Sequence, residues 1–265
     1  DIHGTIHLPP DRLSVDLAAR STLWEQATLS AAIDPASVRG DGHLTVMGLR
    51  PQVISRYLMP ADLEIGNATA NLDVRFTADG FDALRADIDA TIPTLPLRHA
   101  AEHLTLEGAR VNSSIMVDAQ TVGVTINEVH LAVPPAQLSG TLVLDRTTPQ
   151  LRLELEGKDL DVSAAHAVAV FLTPASPVTR TIFDILLAGK VPRLMLQAQG
   201  RTIGDLTDLD AILIRGALVD GRVRVPNVDL DLDDVSGEVS IANGVLVGER
   251  VAGRLGNTKV GDGSV

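Results

Sequence analysis

The stretch that decides the fold reads Leu151-Arg152-Leu153-Glu154-Leu155-Glu156-Gly157, in which apolar and charged residues alternate. Because successive side chains of a β-strand point to opposite faces, this period of two puts the leucines on one face and the charges on the other. Strands of parallel sheets are usually apolar on both faces, so this pattern is typical of an antiparallel sheet.

The same alternation recurs along most of the chain, and turn dipeptides separate the runs. Alternating runs lie at Leu13–Leu17, Leu72–Phe76, Leu84–Ile92, Val122–Ile126, Leu194–Ala198, Val223–Val225, Val228–Leu232 and Val239–Ile241. Hairpin-forming dipeptides lie at Asp41-Gly42, Asp79-Gly80, Asp220-Gly221 and Asn243-Gly244. The sequence therefore predicts a mainly β protein in which successive strands pair with their neighbours.

The composition excludes several classes of function. The chain has 265 residues, of which 45% are hydrophobic but only 2% are aromatic, so its apolar side chains are almost all Leu, Val, Ile and Ala. A net charge of −12 argues against a nucleic-acid-binding surface. The absence of cysteine from the sequence excludes disulfides, thiolate nucleophiles and Cys-ligated metals.

Three short windows predict helices, at Pro51–Met59, Ala164–Leu172 and Pro177–Ala188. Proline opens the first and third windows, Ser163 can cap the second, and Gly189 suits the C-terminal cap of the third. We expect the helical pair within residues 163–189 to cover the apolar face as a lid, or else to shield one end of the sheet from edge pairing.

The chain shows no membrane-spanning segment, because its apolar runs are shorter than the roughly 18 to 20 residues that a spanning helix needs. It begins without methionine inside strand-like sequence and ends where another strand could start. We therefore expect it to be a piece of a longer protein.

A faint internal repeat predicts two related modules, residues 1–148 and 149–265, within one continuous sheet. In each module a strand leads into a short helix that closes on Leu-x-Pro, at Leu58–Pro60 and at Leu172–Pro174. The second module carries the additional helix of the helical pair.

Motifs for catalysis or metal binding are weak. His99 and His103 have the spacing of helical metal ligands, but prolines precede them and no third ligand is indicated. Asp229, Asp231 and Asp233 resemble the start of a calcium loop, yet the alternating leucines favour a wetted strand face. The sequence lacks a nucleophile elbow, a Walker loop and a dinucleotide fingerprint. It predicts a protein that is not an enzyme and that has no metal and no cofactor.

The candidate site is the aliphatic face itself, and two interpretations of it remain open. It is either an ordinary core or a smooth surface suited to acyl chains, whose burial contributes about 0.8 kcal/mol per methylene. The side chains predicted to share this face are Leu72, Val74, Phe76, Ile88, Val124, Ile126, Leu151, Leu153, Leu155, Leu194, Leu196, Val225, Leu230, Leu232, Val239 and Ile241. We call them the predicted lining residues; Arg152, Glu154, Asp229 and Asp231 should lie on the opposite face.

Several phrases resemble the AsmA-like proteins of Gram-negative bacteria. They are Gly48–Pro51, the Leu-x-Pro stops named above, and the strand-turn run Val228–Leu246. The resemblance covers most of the chain, is nearest in style to the YhdP-like members and more distant to TamB, and carries no catalytic residue.

The resemblance implies a twisted antiparallel sheet curled into an open half-pipe, a β-taco, in the periplasm. The parent protein would be anchored in the inner membrane and would conduct phospholipid, or another acyl-chain lipid, along its hydrophobic groove toward the outer membrane. The predicted lining residues would then line the groove. The alternative is an envelope scaffold of TamB type that pairs a sheet edge with a client protein.

Overall fold

The computed structural model describes residues 1–7, 9, 12–58, 63–80, 82–172, 177–202, 204–207, 209–225, 230–243, 245–256 and 258–263. The protein is mainly β, with 74% of residues in strands. Its strands form one long antiparallel sheet of 16 strands that curls without closing into a barrel, as predicted.

The strands are β1 (Ile2–His7), β2 (Leu13–Ala19), β3 (Gln26–Asp34), β4 (Arg39–Leu49), β5 (Leu63–Ile65), β6 (Ala70–Asp79), β7 (Ala83–His99), β8 (Glu102–Val117), β9 (Thr121–Leu131), β10 (Ala136–Asp145), β11 (Gln150–Asp161), β12 (Leu186–Gly200), β13 (Ile212–Val225), β14 (Leu230–Ala242), β15 (Val245–Leu255) and β16 (Thr258–Gly263). The helices are α1 (Pro51–Leu58), α2 (Val162–Leu172) and α3 (Pro177–Ile185), with 3₁₀ turns at Gly204–Thr207 and Leu209–Ala211. Each strand pairs with the next along the chain, except that β4 pairs with β6 and the short β5 pairs with β7.

The sheet crosses the predicted module boundary without interruption, since Asp145 of β10 pairs with Gln150 of β11. The division into modules 1–148 and 149–265 stays a prediction. All three helices lie in the connections that follow β4 and β11, two strands that end at the same edge of the sheet, which we call the helical end.

Two predicted hairpin dipeptides lie inside strands instead. Asp41-Gly42 belongs to β4, where a Cβ on Gly42 would come within 2.2 Å of the Phe76 ring. This glycine therefore makes room for an aromatic side chain in the neighbouring strand. Asp220-Gly221 lies within β13. By contrast, Gly80 lies in the turn between β6 and β7, and Asn243 lies in the turn between β14 and β15, as predicted.

The helical pair also differs from its predicted bounds. Asp161, rather than Ser163, caps α2, because its carboxylate accepts hydrogen bonds from the backbone N–H groups of Ser163 and Ala164 at 2.9 and 3.2 Å. Helix α3 ends at Ile185, and Gly189 lies in β12 rather than at a helix cap. Glycine is required at position 189 because its φ is 134° and because a Cβ there would come within 2.8 Å of the Gly221 Cα.

Strand irregularities keep the apolar residues on one face. Asp159, Asp220 and Asp234 adopt positive φ within β11, β13 and β14, a conformation that Asp tolerates better than most residues. In β13 the register shifts between Leu218 and Gly221, so that even-numbered apolar residues before the shift and odd-numbered ones after it share a face. These irregularities preserve the apolar face where simple alternation would lose it.

Carboxylate-stabilised turns lie at the edge opposite the helical end, at Asp34, Asp118, Asp145 and Asp205. Each carboxylate accepts hydrogen bonds from nearby backbone N–H and hydroxyl groups, as Asp145 does from Thr147 and Thr148. In each case these hydrogen bonds lower the pKa of the aspartate below its ordinary value, because they favour the ionised form.

A loss of stability in acid follows from these lowered pKa values. Groups whose pKa is depressed by folding contribute stability that is present above the unfolded pKa, near pH 4, and is lost as pH falls through the folded pKa. The free energy of unfolding, measured in urea, should therefore be level between about pH 7 and 5 and fall below about pH 4. The Asp145→Asn variant should show a smaller fall; an identical fall in both proteins would contradict the assignment.

Candidate functional site

Aliphatic side chains form continuous rows across the sheet. Cross-strand pairs connect a middle row, from β2 to β15, of Leu17, Leu29, Leu44, Val74, Ile88, Ser113, Ile126, Gly140, Leu155, Leu196, Ile214, Ile241 and Leu246. Ser113 is the only polar member of this row, and it is buried. The surface that contains the middle row is called the apolar face below.

The register places every predicted lining residue on the apolar face. A second row parallel to the middle row contains Phe76, Val124, Leu142 and Leu153. The predicted lining residues are half-buried, except Leu151, which is buried. The structure thus brings them together on one surface, and their contact with lipid stays a prediction.

Charged side chains occupy the opposite face. Arg152 and Glu154 are exposed there, and Asp231 accepts hydrogen bonds from Arg222 and Arg224 at 2.9 Å each. The Arg224 hydrogen bond is the main reason that the pKa of Asp231 lies below its usual value. Asp229 lies outside the described residues.

The polar face also carries a depression of about 700 Å³. It is lined mainly by polar residues of β4 and β6–β9, including Asp73, Asp89, Asn112 and His130. Two of the lining carboxylates have side-chain partners on a neighbouring strand: Asn112 donates to Asp89, and the Nε2 atom of His43 lies 2.7 Å from an Asp73 oxygen. Such cross-strand pairs are typical of a solvated strand surface.

The two histidines with metal-ligand spacing have other surroundings. His99 ends β7 and His103 lies in β8, on either side of a hairpin rather than on one helix face. Across the described ranges, no group of three His, Asp or Glu side chains could hold a metal ion.

The apolar face lies on the inside of the curl, and helix α2 shows this. Val162 of α2 shares a buried cluster with Leu218 of β13, whereas Phe171 contacts His99 of β7. Strands β7 and β13 lie six strand spacings apart, about 29 Å along the sheet at about 4.8 Å per strand. A helix of 11 residues is only about 16 Å long, so the sheet must bend around it.

Two local clusters cover the apolar face in the second half of the sheet. At one edge, Leu206 of the 3₁₀ turn packs with Leu151 and Ala198. At the helical end, Val162 packs with Leu218 and Val235, against partly buried Phe183 of α3. Several predicted lining residues pack against these clusters: Leu153, Leu196, Leu232 and Val239.

Strands β2, β3 and β9 in the first half are different, because none of their described residues belongs to either cluster. In the described chain, the main contacts of β2, β3, β6, β9 and β10 are with their neighbours in the sheet. The inward apolar side chains of β2, β3 and β9 are half-buried by each other and by the curvature. By contrast, α2 reaches β7 at His99, and Val46, Ala70 and Ala109 are buried. Strands β2, β3 and β9 therefore offer an open aliphatic surface.

Sequence reasoning missed three features of this site: the coverage by Leu206, the position of Ser113 within the middle row, and the two-sided packing of α2. Only α2 left a signal in the sequence, since it has no charged residue on any side.

Among the described residues, the structure contains no helix that is both long and apolar enough to cross a membrane. Comparison with known proteins found no matching family model, no matching curated protein and no matching solved structure.

Proposed function

We propose that this chain is a periplasmic segment of a bridge-like lipid-transfer protein. Its apolar face would carry the acyl chains of phospholipids between inner and outer membranes, and other parts of the parent protein would anchor it in the inner membrane. In this proposal the chain moves the lipid without changing it chemically. The observation that carries the proposal is a continuous, half-buried aliphatic face whose strands β2, β3 and β9 have their main contacts only with neighbouring strands.

The chemistry of the face suits acyl chains. Its middle row consists of Leu, Ile, Val and Gly apart from Ser113, so no charged group would be desolvated by a bound chain. Each methylene that leaves water contributes about 0.8 kcal/mol. Contacts with aliphatic side chains are not directional, so the face can accept acyl chains of different length and unsaturation.

The size of the face fits passage better than a single enclosed site. The middle row crosses twelve strand spacings, about 58 Å at about 4.8 Å each. One leaflet of bilayer hydrocarbon is about 15 Å thick, half of the roughly 30 Å core. Several acyl chains could therefore lie along the face in succession, with their headgroups in water at the open side.

Mass spectrometry of organic extracts from the purified chain tests the proposal. We expect phospholipid in at least about an equimolar amount, because a bare aliphatic face of this size is unfavourable in water. Extracts free of lipid, from protein purified without detergent, would overturn the proposal.

A scaffold that pairs a sheet edge with a client strand is the second candidate, and β1 favours it. This strand lies at one edge of the described sheet, carries no Asp, Glu, Lys or Arg, and exposes Ile2 and Ile6 to 75% and 61%. Edge strands without charges are open to pairing with another strand. Asp1 and Arg20 form a hydrogen-bonded pair, so the even-numbered residues of β1 point their backbone N–H groups away from β2. The Ile6→Pro variant would therefore remove a backbone donor from this edge; loss of client binding with unchanged lipid content would favour the scaffold.

A further inference from the structure

Helix α2 is unusual in that its most buried side chains lie on opposite sides of it. Val162 and Phe171 are each only 2% exposed. They are nine residues apart, which at 3.6 residues per turn is about two and a half turns and therefore opposite directions. A surface helix normally buries one side only.

Each buried side chain meets a different part of the curled sheet. Val162 belongs to the cluster with Leu218 and Val235, on β13 and β14. Phe171 meets His99 of β7 edge-on, with ring centroids 5.8 Å apart. The His99 Nδ1–H also donates to the Phe171 carbonyl oxygen at 2.6 Å, which satisfies a backbone acceptor in the last turn of the helix. Helix α2 is thus held between two walls of the apolar face.

The remaining sides of α2 face α3 and solvent. His166 stacks on Phe183 of α3, with ring centroids 4.4 Å apart and ring planes at 14°. Ser163 and Ala167 are exposed. The helix sequence contains no charged residue, so it occupies the apolar face with the same kind of surface that an acyl chain presents.

We propose that α2 is a displaceable plug, which occupies the helical end of the apolar face until a lipid acyl chain replaces it. The inference rests on the proposed function and adds regulation to it. The acyl chain and the helix compete for one aliphatic surface. The contact of His99 with Phe171, which we call the latch, stabilises the state in which α2 occupies that surface. Displacement of α2 would join the open part of the apolar face, on β2, β3 and β9, to the part that α2 covers.

Weakening the latch tests the plug through lipid content. The His99→Ala variant removes both the hydrogen bond and the ring contact, and we expect it to co-purify with about three times more phospholipid than the parent chain. His103→Ala is the matched control, because His103 is exposed in the same hairpin. Equal lipid content in both variants would overturn the plug.

Thiol labelling tests the displacement itself, since the chain has no native cysteine. Val162→Cys places a thiol beneath α2, and Ala198→Cys places one in the separate cluster under Leu206, at the same 2% exposure. Delipidated protein is mixed with vesicles of phosphatidylethanolamine and phosphatidylglycerol, and maleimide labelling rates are compared. We expect vesicles to raise the rate at position 162 about tenfold, with little change at position 198.

The outcomes separate the plug from the proposed function. Lipid uptake by mass spectrometry with unchanged labelling at position 162 would overturn the plug and leave the proposed function standing. Labelling that rises equally at both positions would also overturn the plug, because it indicates general loosening. Absence of lipid uptake in the parent chain and in His99→Ala alike would overturn the proposed function.

Discussion

The Ile126→Asp variant is expected to lose at least about nine-tenths of the phospholipid that co-purifies with the chain. Ile126 lies in the middle row between Ser113 and Gly140, in β9, whose main contacts among the described residues are with its neighbouring strands. A carboxylate there must either stay hydrated, which keeps an acyl chain away, or lose its water at high cost. Extraction and mass spectrometry of equal amounts of folded protein measure the loss.

Thr125→Asp is the matched control, because it introduces the same charge at the adjacent position. Thr125 is exposed and pairs with Ser114 and Thr141 on the polar face. It should keep its lipid, and both variants should keep their strand content by circular dichroism, because the Ile126 position is half-open to water. Equal lipid content in the two variants would leave the apolar face without a role in binding.

The apolar face was predictable because its signal is local. Alternation in each strand assigns side chains to faces before any pairing is known, and antiparallel neighbours then align those faces. In β13 the inward-facing residues are even-numbered up to Leu218 and odd-numbered at Val223, so the sequence pattern alone does not show which residues face inward there. The structure shows that an extra residue at Asp220, which has a positive φ, shifts the register.

The coverage of the face was not predictable, because it depends on contacts distant in sequence. Phe171 meets His99 only after the sheet has curved through β8–β11, and curvature accumulates from small twists that no residue encodes alone. The two wrong hairpin predictions have the same cause. Glycine at position 42 is compatible with a turn, but here it lies in a strand and leaves space for Phe76 of the neighbouring strand, a contact that is distant in sequence.

A second large effect separates the covered part of the apolar face from the open part. The Leu218→Ala variant should lose about 2 to 5 kcal/mol in the free energy of unfolding, because Leu218 is 4% exposed and its removal leaves a cavity. The Leu29→Ala variant, which truncates a half-buried leucine of the middle row, should lose only about 1 kcal/mol, since water already reaches that site. Urea unfolding of both variants measures the difference.

The difference in unfolding free energy between Leu218→Ala and Leu29→Ala distinguishes an ordinary core from a lipid-binding surface. A core residue contributes to stability in proportion to the neighbours that surround it, whereas a groove residue is kept apolar for its ligand and contributes little to the empty protein. If Leu29→Ala lowers the free energy of unfolding as much as Leu218→Ala does, the apolar face around Leu29 is an ordinary core and the lipid proposal fails there. If only Leu218→Ala lowers it strongly, the open leucines such as Leu29 have a role other than stabilising the fold. Added phospholipid should then raise the unfolding free energy of the parent chain more than that of Leu29→Ala, because ligand binding stabilises the state that binds it.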